Sequence, residues 1–246
     1  MNSFKKITVM LIALMMLVFT AACGSQDTEK DSGSDSGKAQ QEEQAADDES
    51  EKQDENKEDA GKSGQGSSLA VYFSRVGNSD FGDDIDADSS ASIVADGDEV
   101  KGNAQIIAEA IAEEAGCGTF EITVKDLYPA DYDETVDQAS NEQSEEARPE
   151  LKDAPENWDK VKTVYLVFPN WWGDLPMPVY SFFDKYDFSG KTINVFATHE
   201  GSGFSGTVDS IKSLEPDAEV VEALDIRGGD AEDSLDDIIA WVKDNI

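Results

Sequence analysis

Three short stretches carry the side chains that could do chemistry. The first is Ser74-Arg75-Val76-Gly77-Asn78-Ser79. Small hydroxyls, glycine and asparagine in such a run suit a nest of backbone N–H groups around an anion. The same residue types also make ordinary turns. The second is Asn170-Trp171-Trp172-Gly173-Asp174, bounded by Pro169 and Pro176. Successive side chains of an extended segment diverge, so one tryptophan is expected to be exposed. An exposed indole in a proline-bounded loop suggests stacking on a planar ligand. Trp171 is the preferred stacker, and packing of both rings on flanking helices stays open. The third is Thr198-His199-Glu200-Gly201-Ser202-Gly203. Its glycines permit close approach of backbone to a ligand.

His199 is the single histidine of the chain. No carboxylate or cysteine partner stands at a telling spacing, and no nucleophile signature accompanies it. It therefore reads as a loop hydrogen-bonder, and no catalytic residue is assigned. No Cys/His cluster has metal-ligand spacing, so no metal is expected. Of the two cysteines, Cys117 in Ala115-Gly116-Cys117-Gly118 reads as a small buried residue.

These stretches need elements to hold them. Leu69–Ser74 is a short apolar run, as in a buried parallel strand. Residues 103–115 place Ile106, Ile107, Ala110 and Ile111 on one helical face, and Gly116 stops the helix. Thr119–Val124 alternates as a second strand, and Tyr132–Ala147 is a mostly exposed helix. Thr163–Phe168 is the third strand, ended by Pro169. A helix over Val179–Tyr186, a strand over Thr192–Ala197 and a helix over Phe204–Leu214 follow. A fifth strand over Glu219–Ile226 and a helix over Asp230–Asn245 close the chain. Strands alternating with helices imply a parallel sheet covered on both faces, with right-handed crossovers. All three stretches then leave the carboxyl ends of strands, where such sheets bind ligands. An acidic insertion, roughly Asp80–Val100, separates the first loop from the helix starting at Asn103.

The chain before Leu69 is of a different kind. Lys5 and Lys6 precede an apolar run, Ile7–Phe19, that ends in Thr20-Ala21-Ala22-Cys23. This is the pattern of a secretory signal, and the run is short for a bilayer span. A cysteine directly after two alanines resembles a bacterial lipoprotein signal. That resemblance implies lipidation at Cys23, a removed signal peptide over residues 1–22, and a protein on the extracytoplasmic face of the cell membrane. Residues 23–68 are nearly free of apolar side chains and are expected to form a disordered acidic linker. Residues 69–246 form the folded domain.

The formal net charge is −35. The domain from Leu69 onward has 12 basic and 40 acidic side chains, net −28. Such a surface repels phosphate backbones, which argues against nucleic-acid binding. Membrane contact is expected through the lipid anchor only.

Taken in order, Tyr72-Phe73-Ser74-Arg75, Tyr128-Pro129, Arg148-Pro149, Asn170-Trp171-Trp172-Gly173 and Thr198-His199-Glu200-Gly201-Ser202-Gly203 resemble the flavodoxin-like family. The closest likeness is to members with an insertion before the first helix. The resemblance implies an α/β three-layer sandwich with a five-stranded parallel sheet, strand order 2-1-3-4-5 and helices on both faces. It implies noncovalent FMN. The phosphate would sit on Ser74, Arg75, Gly77, Asn78 and Asn103. The isoalloxazine would lie between Asn170, Trp171, Trp172 and Gly173 on one side and Thr198, His199, Gly201, Ser202 and Gly203 on the other. Ala104 stands where members commonly have threonine. The leading expectation is an FMN electron carrier serving a redox partner protein or a small-molecule acceptor. An FMN-dependent NAD(P)H:acceptor (quinone) oxidoreductase is the alternative, and a non-redox binding domain that has lost FMN is a third. Asp174 and Glu200 are expected to hold the flavin potential low.

Overall fold

The computed structural model describes residues 67–81, 91–96 and 99–246. The expected signal peptide, Cys23 and the linker up to residue 66 lie outside the described residues.

Five strands form one sheet: β1 (Ser68–Tyr72), β4 (Gly118–Glu121), β5 (Thr163–Pro169), β6 (Thr192–His199) and β7 (Glu219–Arg227). They stand in the order β4-β1-β5-β6-β7, and every pairing is parallel. Counting only these strands in chain order, that is 2-1-3-4-5, as expected. The central strands β5 and β6 are buried almost throughout, which is why their sequences are continuous apolar runs.

Alternation sends each strand's side chains to two layers. Ala70, Tyr72, Tyr165, Val167 and Phe196 face α1 (Asn103–Ala115) and α5 (Leu235–Asn245), meeting Ile107, Ile111, Ile238 and Val242. Val71, Phe73, Val164, Leu166, Ile193 and Val195 face α3 (Met177–Lys185) and α4 (Thr207–Leu214), meeting Val179, Phe182, Val208 and Ile211. Each Val, Leu, Ile or Phe among them contributes about 1.5–3 kcal/mol when fully buried. Helix α2 (Tyr132–Ser144) buries only Thr135 and Ala139, in line with its polar sequence.

Three helix starts differ from expectation. Helix α3 begins two residues early because Pro178 fits the unpaired first turn. Helix α4 begins at Thr207, since glycines to Gly206 keep the preceding chain in a loop. Helix α5 begins at Leu235, after a short 3-10 turn over Gly228–Asp230. The acidic insertion holds an antiparallel hairpin, β2 (Ile93–Asp96) with β3 (Glu99–Gly102), that composition did not signal. Its last residue, Gly102, is the N-cap of α1, which starts at Asn103 as expected. Cys117 is half-buried rather than buried; its N–H closes the end of α1 on Ala112 O after Gly116 at φ +62°.

Candidate functional site

The strand order reverses between β1 and β5, and the loops leaving their carboxyl ends part there. A cleft of about 300 Å³ opens at this place. Its walls are Arg75 after β1, Ala91 and Ser92 before β2, and Tyr132, Thr135, Val136 and Ala139 on α2. Asn170–Gly173 after β5, with Glu200 and Ser202 after β6, complete it. Most of the wall is apolar, with a few convergent polar groups, as ligand sites are built.

Trp171 and Asp174 exchange backbone hydrogen bonds, 3.1 Å in each direction. Only two residues lie between, so Trp172 and Gly173 both take positive φ, +56° and +79°. This is the primed two-residue turn, which asparagine and glycine favour and tryptophan does not. The strain turns Trp172 outward, where it is 57% exposed and its Nε1 donates to Val136 O on α2 (3.2 Å). Trp171 goes inward. It packs edge-on against Phe73 (5.2 Å) and Tyr128 (5.3 Å), and its Nε1 donates to Ser92 Oγ (3.0 Å). One tryptophan is exposed, as expected, but it is Trp172; packing commits Trp171.

Asp174 is committed as well. Its Oδ1 accepts the Leu175 N–H and its Oδ2 accepts the Tyr180 hydroxyl, both at 2.8 Å. Burial pushes that hydroxyl up to about 12, so it stays a donor. Asp174 therefore fastens the loop to α3. Arg148 stacks on Tyr180 at 5.0 Å and pairs with Asp184 on the same helix.

The loop after β1 turns into the protein. Ser74 Oγ accepts the Val76 N–H (3.1 Å). The Asn78 amide donates to Ser74 O and Ile122 O, and its Oδ1 accepts the Val124 N–H. The first of these bonds braces the loop on itself, and the other two bolt it to the chain at the end of β4. A Cβ on Gly77 would fall 1.8 Å from Glu121 Oε1, and one on Gly102 2.0 Å from Ser74 Oγ. The loop is thus pressed between β4 and the start of α1. Arg75 is 1% exposed, with its guanidinium near the Phe81 and Tyr132 rings (5.0 and 5.8 Å) and donating to Ala130 O. The chain before β2 closes over the strand tips. Asn103 N–H donates to Ser92 O (3.0 Å), and Thr198 Oγ1 donates to Ala91 O (2.6 Å).

The two remaining loops are laced together. Asn170 N–H donates to Thr198 O, its side-chain amide donates to Gly203 O (2.9 Å), and Gly206 N–H donates to Gly173 O (3.1 Å). His199, 7% exposed, ends β6. Its Nδ1 accepts the Gly201 N–H (2.7 Å) and its Nε2 faces Asp225 Oδ2 (3.0 Å). It is a loop hydrogen-bonder as expected, with the carboxylate partner that spacing did not reveal.

Residues 93–245, more than half of the chain, match the Flavodoxin family. The chain belongs to the flavodoxin family. No curated protein matches it. Among solved structures it is similar to a candidate flavoprotein from Bacteroides uniformis ATCC 8492, at 23% identity and TM-score 0.52, covering 72% of this chain and 97% of that one. A candidate flavoprotein from Bacteroides eggerthii DSM 20697 gives 22% identity and TM-score 0.50, covering 70% and 96%. A flavoprotein from Lactobacillus acidophilus NCFM, solved in complex with FMN, gives 18% identity and TM-score 0.47, covering 69% and 97%.

Of the residues expected at a flavin, the cleft brings together Arg75, Asn170, Trp171, Trp172, Gly173 and Ser202. Ser74, Gly77, Asn78, Asn103, Thr198, His199 and Gly203 do not line it, and Gly201 sits in the wall segment between Glu200 and Ser202. The ring side fits a flavin: an exposed indole and two laced loops, the second rich in glycine, face one slot. On the phosphate side the Ser74 and Asn78 side chains work within the protein, and Arg75 is the basic residue that lines the cleft. Sequence reading missed Ala91, Ser92 and the α2 face. The α2 face had a signal, because Tyr132 opens a helix just beyond the carboxyl end of a strand.

Proposed function

We propose that this flavodoxin-family chain binds FMN noncovalently and carries electrons, tethered to the outer face of the cell membrane through Cys23. The cleft at the strand-order reversal, with Trp172 forced outward at its rim, carries the reading. Trp172 would cover one face of the ring, the segment Glu200–Ser202 would wall the other, and Arg75 would offer the positive charge an anionic cofactor needs in so acidic a domain. Bound FMN would supply reversible one- or two-electron chemistry, and the protein sets its orientation and potential. The lipoprotein-type end at Cys23 supports the tether, and the acidic surface suits a redox partner of opposite charge.

Titration of the purified chain with FMN, followed by flavin fluorescence, tests the cofactor. Saturable quenching at one FMN per chain is expected, and unquenched fluorescence at excess protein refutes it. Fast bleaching of the bound flavin by NADH would instead favour the reductase.

A further inference from the structure

The hydrogen bonds of His199 fix where its proton lies. A backbone N–H can only donate, so Nδ1, which accepts from Gly201 at 2.7 Å, holds a lone pair. The proton of the neutral ring is then on Nε2, directed at Asp225 Oδ2 3.0 Å away. We propose that His199 is a proton-keyed latch on the cleft wall formed by Glu200, Gly201 and Ser202, holding it while neutral and releasing it when doubly protonated.

A second proton goes to Nδ1 and sets N–H against N–H, so the Gly201 contact is lost. The same proton makes the Asp225 contact a charge-assisted pair, which keeps the ring in place. The wall is the part that yields, because Gly201 and Gly203 sit at φ +117° and +60° with the freedom glycine has there. Glu200 and Ser202 line the cleft, so their displacement changes it.

Several charged groups bear on the imidazole. From β7 come Asp225 and Arg227, the latter paired in register with His199. Glu200 follows in its own loop, and α4, after that loop, carries Asp209 in its first turn. The end of β5 presents Pro169 and the uncharged Asn170. The bearing on flavin rests on the function proposed above; the latch itself does not.

An acceptor on residue i that takes the N–H of i+2 is the geometry of an Asx turn. His199→Asn therefore keeps the wall and removes the proton sensitivity. The test is NMR of the ¹⁵N-labelled full chain, in which the single histidine makes the ring signals unambiguous. The neutral ring is expected to carry its proton on Nε2. On acidification the Gly201 amide signal should move along the titration curve of the ring, and in His199→Asn it should stay still. A proton on Nδ1 of the neutral ring, or a Gly201 signal that ignores the ring or moves equally in the variant, overturns the proposal. The FMN dissociation constant is then compared above and below the ring's titration. The FMN phosphate titrates in both proteins, so the readout is their difference. A several-fold weakening in the parent beyond that of the variant is expected. An equal pH response in both overturns the link to the cleft, and absence of FMN binding at every pH refutes the flavin reading while the Gly201 signal still judges the latch.

Discussion

Trp171 and Asp174 are joined by two backbone hydrogen bonds of 3.1 Å, and this pairing forces the residue between them, Trp172, into positive φ. Such strain costs on the order of 1–3 kcal/mol and persists where a function repays it. Trp172→Asn creates the Asn-Gly pair this turn prefers. The variant should be at least as stable as the parent, by up to about 1 kcal/mol, while FMN binds about tenfold to a hundredfold more weakly, as expected for a lost stacking partner. Trp171→Ala should do the reverse at the level of folding and cost about 3 kcal/mol, because its ring fills the space between Phe73 and Tyr128. Denaturant unfolding beside FMN titration separates the two roles. Equal behaviour of the two variants contradicts the assignment.

Glu121 gives the protein a pH dependence. Burial, with Glu109 nearby, raises its carboxyl from 4.5 to about 7. The folded state therefore keeps this proton to about pH 7, whereas the unfolded chain releases it near 4.5. Its contribution to stability is fully present below pH 4.5 and is lost as the pH rises through 7. The group is partly solvated, which reduces the effect to about 1–2 kcal/mol. Glu121→Gln should be more stable than the parent at pH 8 by that amount and no more stable at pH 4. A parent whose Glu121-dependent stability increases from pH 5 to 8 contradicts this.

Glu200 lines the cleft and Asp174 is turned toward Tyr180. Glu200→Gln should raise the midpoint potential of bound flavin by about a few tens of millivolts at low salt and less at high salt. Asp174→Asn should shift the potential far less and loosen the start of α3 instead. Redox titration of both variants decides it, and a shift in the Asp174 variant alone reverses the assignment.

The tether is tested by cell fractionation. Cys23→Ala should move the protein from the membrane to the soluble fraction, because acyl chains on cysteine are the only anchor proposed. A variant retained on the membrane in parental amount contradicts the lipoprotein reading.

The fold was legible because its signals are local and repeated. β5 and β6 are unbroken apolar runs, and α1 has one apolar face and a glycine stop. The strand order came from family resemblance, since periodicity carries no information about which strands are neighbours. The ring-side loops were legible from Trp171, Trp172 and the glycines. Which tryptophan turns outward was not, because it depends on a two-residue turn that tryptophan disfavours. Asp225 was hidden for another reason: it reaches His199 across 26 residues through the pairing of β6 with β7, and spacing along the chain shows no such contact. The engagement of Asn78 with β4 was hidden in the same way.

The visible spectrum of the purified chain, before and after addition of FMN and gel filtration, tests the central claim most directly. A yellow protein is expected that retains one FMN per chain, with the flavin fluorescence quenched and its retention reduced in Trp172→Asn. A folded, colourless protein that leaves added FMN free and fluorescent would contradict it.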